Sequence, residues 1–243
     1  MPYEPRTGWP AWAVIPAGVV IFLGAIVIGL LLSAAISALG SPEGPHFGPV
    51  PVQTVLAWLG GVQIGAVLLT VLFAGFYSSD RAETLALRPP VGGWKVLPLS
   101  LIPLFAITGI WTAALMLWSP ETVITDLRPF QEMMKGGALA VLIIIGIGAP
   151  LSEELLFRGF LFSGLAKSRL GLVGTSLLTA AGWTALHAGY SVAGLLEIFV
   201  IGLYFSWLLV RTGSLWVPIF CHAVYNTVVG LVLVFVNLPG SSG

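Results

Sequence analysis

Long apolar runs separated by short polar segments dominate this chain from one end to the other. A helix needs about 20 apolar residues to cross the hydrocarbon core of a bilayer. The candidate spans are Ala11–Leu39, Val52–Phe76, Val96–Trp118, Gly136–Ala166, Leu172–His187, Ala193–Val210 and Leu215–Val236. This pattern predicts an all-α fold, a polytopic membrane bundle of about seven to eight transmembrane helices.

The fourth and fifth candidate spans depart from the simplest pattern. The fourth is long, and we expect it to bend at Pro150, which lacks a backbone N–H donor. The fifth is short for a span, and the pattern also allows an additional half-inserted element. The 30 glycines are spread through the spans and favour close packing between helices.

The polar connections predict where the chain leaves the bilayer. The segment Arg81–Pro90 is short and of mixed charge, which is typical of an interfacial helix. The stretch Ser119–Met134 is amphipathic, and we expect a solvated loop with a helical turn there. We expect His46, in the Pro- and Gly-rich loop Gly40–Pro51, to be solvated.

Basic residues in the loops predict the orientation, because cytoplasmic loops are enriched in lysine and arginine. An internal N-terminus leaves only Arg128 and Lys135 outside. The basic residues then inside are Arg6, Arg81, Arg88, Lys95, Lys167, Arg169 and Arg211. We therefore predict a cytoplasmic N-terminus in the plasma membrane of a bacterium or an archaeon.

Composition narrows the class of protein. Of 243 residues, 57% are hydrophobic and 8% are charged, whereas soluble domains have about 25% charged residues. The net charge is 0, which gives no reason to expect a nucleic-acid partner. The single cysteine, Cys221, excludes an intrachain disulfide and a multi-cysteine metal cluster. We predict one integral membrane domain over residues 1–243, with N-terminal helices in 1–134 and a motif-bearing core in 135–236.

Glu153, Glu154 and Arg158 lie inside the fourth apolar run. A charge at the centre of a bilayer costs about 2.5–3.5 kcal/mol on insertion scales, so such residues indicate a function. Glu154 and Arg158 are four residues apart, acid before base, and this spacing predicts an ion pair. Glu153 lies about 100° away around the helix and is left for another task.

Two further polar groups lie in later spans, namely His187, and His222 with Asn226 four residues on. The rise of about 1.5 Å per residue places them at overlapping depth with Glu153. A glutamate beside a histidine can act as general base on a water. Histidine and asparagine donors can stabilise the oxyanion of a tetrahedral intermediate. The set therefore suits hydrolysis without a serine or cysteine nucleophile, and we expect Cys221 to be a small buried apolar residue.

These motifs resemble the CAAX prenyl protease family and its bacterial relatives, the glutamate-type intramembrane endopeptidases also called CPBP or Abi proteins. Glu153, Glu154 and Arg158 match Glu-Glu-x-x-x-Arg, and His222 with Asn226 matches His-x-x-x-Asn. The remaining motif is Phe-x-x-x-His, which here ends in His187 but begins with Trp183. The lead-in from Thr212 to Trp216 and the Leu-Ala-Leu-Arg run from Leu85 are also similar to the family.

The resemblance implies a role for each motif residue. Glu153 and His187 would activate the water, while His222 and Asn226 would hold the oxyanion or the scissile carbonyl. Glu154 and Arg158 would shape the site. The implied enzyme is an intramembrane glutamic protease that needs no cofactor or metal and acts on a peptide or membrane-protein substrate in the lipid bilayer.

Other functions are compatible with the same residues. Glu153, His187 and His222 could ligate zinc in a metal-dependent hydrolase. Intramembrane glutamate and histidine also mark ion paths in transporters. A catalytically silent scaffold or a bacteriocin-immunity-type protein is a further alternative. Glu197 matches no motif, and we expect it to serve at the interface or in helix packing.

Overall fold

The computed structural model describes residues 2–40 and 51–239, so the prediction for His46 lies outside the described residues. Within these ranges the chain forms helices and no strand. The helices are α1 Ala11–Gly40, α2 Val52–Ala74, α3 Arg81–Thr84, α4 Val96–Trp118, α5 Pro120–Lys135, α6 Ala138–Leu165, α7 Gly171–Ala185, α8 Val192–Thr212 and α9 Trp216–Phe235. The predicted all-α membrane bundle is confirmed.

Six of the described helices are long and apolar enough to cross a membrane, namely α1, α2, α4, α6, α8 and α9. The fifth predicted span, Leu172–His187, corresponds to α7, which has 15 residues and ends before His187. At about 1.5 Å per residue such a helix is shorter than the hydrocarbon core. His187 therefore lies in the connection that follows α7.

Helix α6 contains two π-helical segments, Ile144–Gly148 and Leu155–Leu161, on either side of the six α-helical residues Ala149–Glu154. The first π-helical segment thus ends two residues before Pro150, where we expected a bend. Insertions of this kind widen a turn and change which side chains face a neighbouring helix. Both glutamates of the first motif end the α-helical stretch between the two segments.

Helices α1 and α2 cross with their backbones almost in contact. A Cβ atom on Gly61 would lie 2.8 Å from the Cα of Gly29, and one on Gly65 would lie 3.0 Å from the Cα of Ala25. Small residues permit this approach, and van der Waals packing then holds the helices together. The glycines of these spans therefore pack as the sequence predicts.

The solvated loop expected over Ser119–Met134 is wrong, because this stretch forms the 16-residue helix α5. Proline near the first turn is compatible with the start of a helix. One face of α5 is buried through Ile124, Gln131 and Met134. The Gln131 side chain donates to the carbonyl of Val236, 2.6 Å away, and so ties α5 to the end of α9.

The segment Arg81–Pro90 contains a helix of only four residues, α3, followed by a turn at Leu85 and Ala86. The amide of Leu215 donates to the carbonyl of Ala86 over 2.8 Å, and Arg88 Nε donates to the carbonyl of Gly213 over 2.7 Å. Ala86 has a φ of 53°. The Leu-Ala-Leu-Arg run thus fixes the turn that leads into α9, the helix that carries His222.

The main core surrounds α6 and takes buried residues from the N-terminal segment and α1 as well as from α7, α8 and α9. Its fully buried members include Phe160, Phe205 and Cys221. Cys221 is thus a buried residue within an apolar cluster, as expected. This packing places the motif side chains of α6 opposite those of α7 and α9.

Candidate active site

Glu154 and Arg158 form an ion pair in the interior, with both side chains 0% exposed. Arg158 Nη1 donates to Glu154 Oε1 over 3.0 Å, as their spacing predicts. Arg158 Nη2 donates to the carbonyl of Gly202 on α8, 3.1 Å away. A buried charge requires such partners, because desolvation penalises it strongly. The pair is therefore anchored to a second helix.

His222 on α9 stands between the two glutamates of α6. Its Nδ1 lies 3.0 Å from Glu154 Oε1, and its Nε2 lies 4.0 Å from Glu153 Oε2. A carboxylate can only accept hydrogen bonds, so we assign the imidazole proton to Nδ1. In the neutral imidazole Nε2 is then an acceptor, and it faces Glu153.

Trp183 on α7 contacts most of the motif side chains at once. Its indole Nε1 donates to Glu153 Oε2 over 2.5 Å. The Arg158 guanidinium lies 4.5 Å from the ring centroid, and the rings of His187 and His222 lie edge-on at 5.1 and 5.4 Å. The tryptophan is 3% exposed. Trp183, on α7, thus contacts α6, α9 and the segment after α7.

His187 follows the end of α7 and is half-buried. Its Nδ1 lies 2.9 Å from the carbonyl oxygen of Trp183. A carbonyl is an acceptor, so we assign a proton to this nitrogen as well. In the neutral form of both motif imidazoles, Nε2 is therefore the nitrogen without a proton. Among the described residues, the imidazole within 4.0 Å of the Glu153 carboxylate is that of His222.

Asn226 Nδ2 donates to the backbone carbonyl of Ile145 over 3.0 Å. In this turn of α6 the amide of Ala149 bonds to the carbonyl of Ile144, five residues back. The next residue in the same register is Pro150, which has no N–H to offer to Ile145. Asn226 therefore supplies the donor that Pro150 lacks, and among the described residues one of its two amide N–H groups has a partner.

The site thus brings together Glu153, Glu154, Arg158, His187 and His222 around Trp183, while Asn226 attaches to the preceding turn of α6. From the sequence, Trp183 was only a departure from the motif. The hydrogen bond that its indole N–H donates to Glu153 was not predicted. The signal available was an indole N–H one helical turn before a motif histidine.

A second group of polar residues lies beside the site and was not assigned a role from the sequence. The ring of Tyr190 lies 5.9 Å from that of His187. Burial first, and then the neighbouring Tyr225 and the acids Asp126, Glu153 and Glu197, raise the pKa of the Tyr190 phenol. Tyr190 is therefore close enough to Glu153 to sense its charge.

Asp126 on α5 fixes the start of α8. Its carboxylate accepts hydrogen bonds from the amide of Ser191 over 2.8 Å and from the Ser191 hydroxyl over 2.7 Å. Ser191 in turn caps α8 by accepting from the amide of Gly194. Glu197, one turn further along α8, is half-buried. Its Oε1 has no hydrogen-bond partner among the described residues.

The residues that the structure describes contain no group of three His, Cys, Asp or Glu side chains that could hold a metal ion. The described arrangement is instead a carboxylate ion-paired to arginine, a second carboxylate held by an indole, and two imidazoles with a defined proton. Such a set can accept a proton from water and return it to a leaving group.

Residues 135–228 match the family model of the type II CAAX prenyl endopeptidases, Rce1-like. The six motif residues, from Glu153 to Asn226, lie within that range. The family resemblance of this region is therefore confirmed.

Curated proteins from two bacteria are similar to parts of the chain. The "Putative membrane peptidase YdiL" of Bacillus subtilis is 32% identical over 89 residues, which cover 37% of this chain and 35% of that protein. An uncharacterized 24.3 kDa protein of Escherichia coli is 37% identical over 105 residues, 40% of this chain and 46% of that protein. The uncharacterized protein YpbD of Bacillus subtilis is 26% identical over 175 residues, 66% of this chain and 82% of that protein.

The match thus spans about a third of the first of these relatives and less than half of the second. No solved structure matches the chain. With six helices long and apolar enough to cross a membrane, the chain is an integral membrane protein.

Proposed function

Because residues 135–228 match the Rce1-like family, we propose that this chain is an intramembrane endopeptidase that uses water activated by Glu153. Its substrate is a membrane-associated or lipidated peptide or protein. The observation that carries the proposal is the distance of 4.0 Å between Glu153 Oε2 and His222 Nε2 inside the bundle. This separation is too long for a direct hydrogen bond and suits one water that contacts both atoms.

In the first step the water oxygen attacks the scissile carbonyl carbon, and Glu153 takes the proton that the water loses. In the second step the bond between carbon and nitrogen breaks, and the protonated Glu153 returns the proton to the leaving amine. General acid–base catalysis of this kind contributes about 10²–10⁴-fold to a rate. Glu153 suits the task because it is not the glutamate that neutralises Arg158.

The imidazoles and Asn226 complete the site. Following the family resemblance, His187 acts with Glu153 on the water. His222, which contacts the same water from Nε2 before the attack, then holds the oxyanion together with Asn226. Asn226 can do so with its second N–H, since one is bound to Ile145. His222 can donate from Nε2 only when it is protonated, because Nδ1 already faces Glu154. Glu154 and Arg158 set the position of His222 and so shape the site.

The test uses the purified chain in liposomes and a quenched fluorescent peptide with a farnesylated CAAX terminus, chosen because of the family match. We expect Glu153→Gln and His187→Ala to abolish cleavage while both proteins still insert and keep their melting temperature. Glu121→Gln is the control, because Glu121 is an exposed acid on α5. Wild-type cleavage by Glu153→Gln would refute the proposal.

A second arm identifies the natural substrate without assuming a lipid group. New peptide termini are compared between membranes that contain the wild-type chain and membranes that contain Glu153→Gln. Fragments present only with the wild type report a substrate. Activity that survives exhaustive chelation separates this proposal from a metal-dependent hydrolase.

A further inference from the structure

We propose that Trp183 is a positioning residue that fixes the Glu153 carboxylate in one orientation by donating its indole N–H to it. The proposal rests on the assignment of Glu153 as the general base. It adds a function for the position at which this sequence departs from the Phe-x-x-x-His pattern.

The contact between the two residues is short and directional. Trp183 Nε1 lies 2.5 Å from Glu153 Oε2. An indole N–H can only donate, and a carboxylate oxygen can only accept. A hydrogen bond in which the acceptor is charged is about twice as strong as a neutral one. The bond therefore acts on the group that must accept a proton.

The indole cannot turn away from Glu153 without disturbing its neighbours. Its ring packs against the Arg158 guanidinium at 4.5 Å and lies 6.0 Å from the ring of Phe205. A Cβ atom on Gly202 would lie 3.1 Å from Trp183 Cε3, so the backbone of α8 closes the other side. Close packing of this kind holds a side chain in one rotamer. The donor is thus already in place before any substrate binds.

The other charged and titratable groups around Glu153 remain when the indole N–H is removed. Glu154 and Arg158 share its helix, and His222 approaches from α9 to 4.0 Å. The Arg158 side chain and that of Tyr190, in the segment after α7, both interact electrostatically with Glu153, and the Tyr190 ring lies 5.9 Å from that of His187. Trp183→Phe retains these groups and a benzene ring, but it removes the N–H together with the pyrrole part of the indole. The same substitution at a second tryptophan is therefore needed to separate loss of the hydrogen bond from loss of ring volume.

Trp111→Phe is the matched control. It makes the same substitution in another membrane-spanning helix, α4. The indole Nε1 of Trp111 is buried and has no hydrogen-bond partner among the described residues. Loss of that N–H should therefore leave the site unaffected, whereas a general effect of the substitution would appear in both variants.

The first measurement is infrared spectroscopy of the full chain in nanodiscs, which needs no substrate. The carboxylate band of Glu153 is identified by its absence in Glu153→Gln. We expect that band to change frequency in Trp183→Phe, since the carboxylate then loses its hydrogen bond from the indole. We expect no change in Trp111→Phe. An unchanged band in Trp183→Phe would overturn the proposal.

The second measurement is the kinetics of cleavage of the farnesylated peptide. We expect kcat to fall about tenfold in Trp183→Phe while KM stays within about twofold. A rise in KM with an unchanged kcat would show a merely structural role and contradict the proposal. If Glu153→Gln cleaves like the wild type, the proposed function fails, and the infrared result still decides on the hydrogen bond.

A third measurement covers the case in which Trp183→Phe does not fold. With ¹⁵N-tryptophan labelling, the indole N–H resonance of Trp183 should differ between the wild type and Glu153→Gln, because its acceptor changes from a carboxylate to an amide. The resonance of Trp111 should be the same in both proteins. A Trp183 resonance that is also the same in both would overturn the proposal.

Discussion

The backbone carbonyl of Gly202 accepts a hydrogen bond from Arg158 Nη2 at 3.1 Å, and the missing side chain of Gly202 makes room for it. A Cβ atom there would lie 3.0 Å from Nη2 and 3.1 Å from the Cβ of Ala180. Helix α8 therefore approaches the Glu154–Arg158 pair so closely that its backbone solvates the guanidinium. The site is built from backbone proximity as well as from motif side chains.

We expect Gly202→Ala to lower the melting temperature and the cleavage rate. The added methyl group must displace Arg158 or Trp183, and overpacking of a tight interior costs about 1–3 kcal/mol. Gly109→Ala is the control, because a Cβ atom on this glycine of α4 meets nothing within 4 Å. Thermal unfolding in detergent measures both variants. Equal melting temperatures of Gly202→Ala and Gly109→Ala would show that α8 shifts at Gly202 with little loss of stability.

The buried ion pair predicts a specific pattern of stability. Arg158→Met should lower the free energy of unfolding by about 3–5 kcal/mol, because it leaves the Glu154 carboxylate buried without its counter-charge. Adding Glu154→Gln should restore part of this loss, since no unpaired charge then remains. Denaturant unfolding of the single and double variants gives the coupling energy. A double variant that is less stable than Arg158→Met would contradict this account.

The long apolar runs were sufficient to predict the helical membrane bundle, and the i, i+4 spacing predicted the Glu154–Arg158 pair. Both depend on neighbours along the chain. The bond from Trp183 to Glu153 joins residues on different helices, and no local spacing encodes it. The same holds for Gly202, whose carbonyl reaches Arg158 only because α8 packs against α6.

The error at α5 has a different cause. Its polar residues suggested exposure to water, but Gln131 and Asp126 are turned toward protein partners, namely Val236 and Ser191. Hydropathy cannot distinguish a solvated polar residue from one that is bonded in the interior. The π-helical segments of α6 escaped prediction because hydropathy does not distinguish a π-helical turn from an α-helical one.

We expect Asp126→Ala to loosen the segment that carries His187. The substitution removes the acceptor of two hydrogen bonds from Ser191, at the point where α8 begins. A hydrogen bond to a charged group contributes about 1.5–3 kcal/mol, so the amides of residues 186–194 should exchange at least about tenfold faster. Hydrogen exchange with mass spectrometry measures this. Glu121→Ala, on the exposed face of α5, is the control and should leave the segment protected.

Asn226 combines a structural bond with a proposed catalytic one, and Pro150 allows the two to be separated. Asn226→Ala leaves the Ile145 carbonyl without its donor, which should cost about 1–3 kcal/mol. Pro150→Ala provides a backbone N–H in the register that Ile145 needs. The double variant should therefore recover stability relative to Asn226→Ala, as thermal unfolding would show. It should not recover cleavage, because the oxyanion still lacks the amide of Asn226. Cleavage that returns together with stability would assign Asn226 a purely structural role.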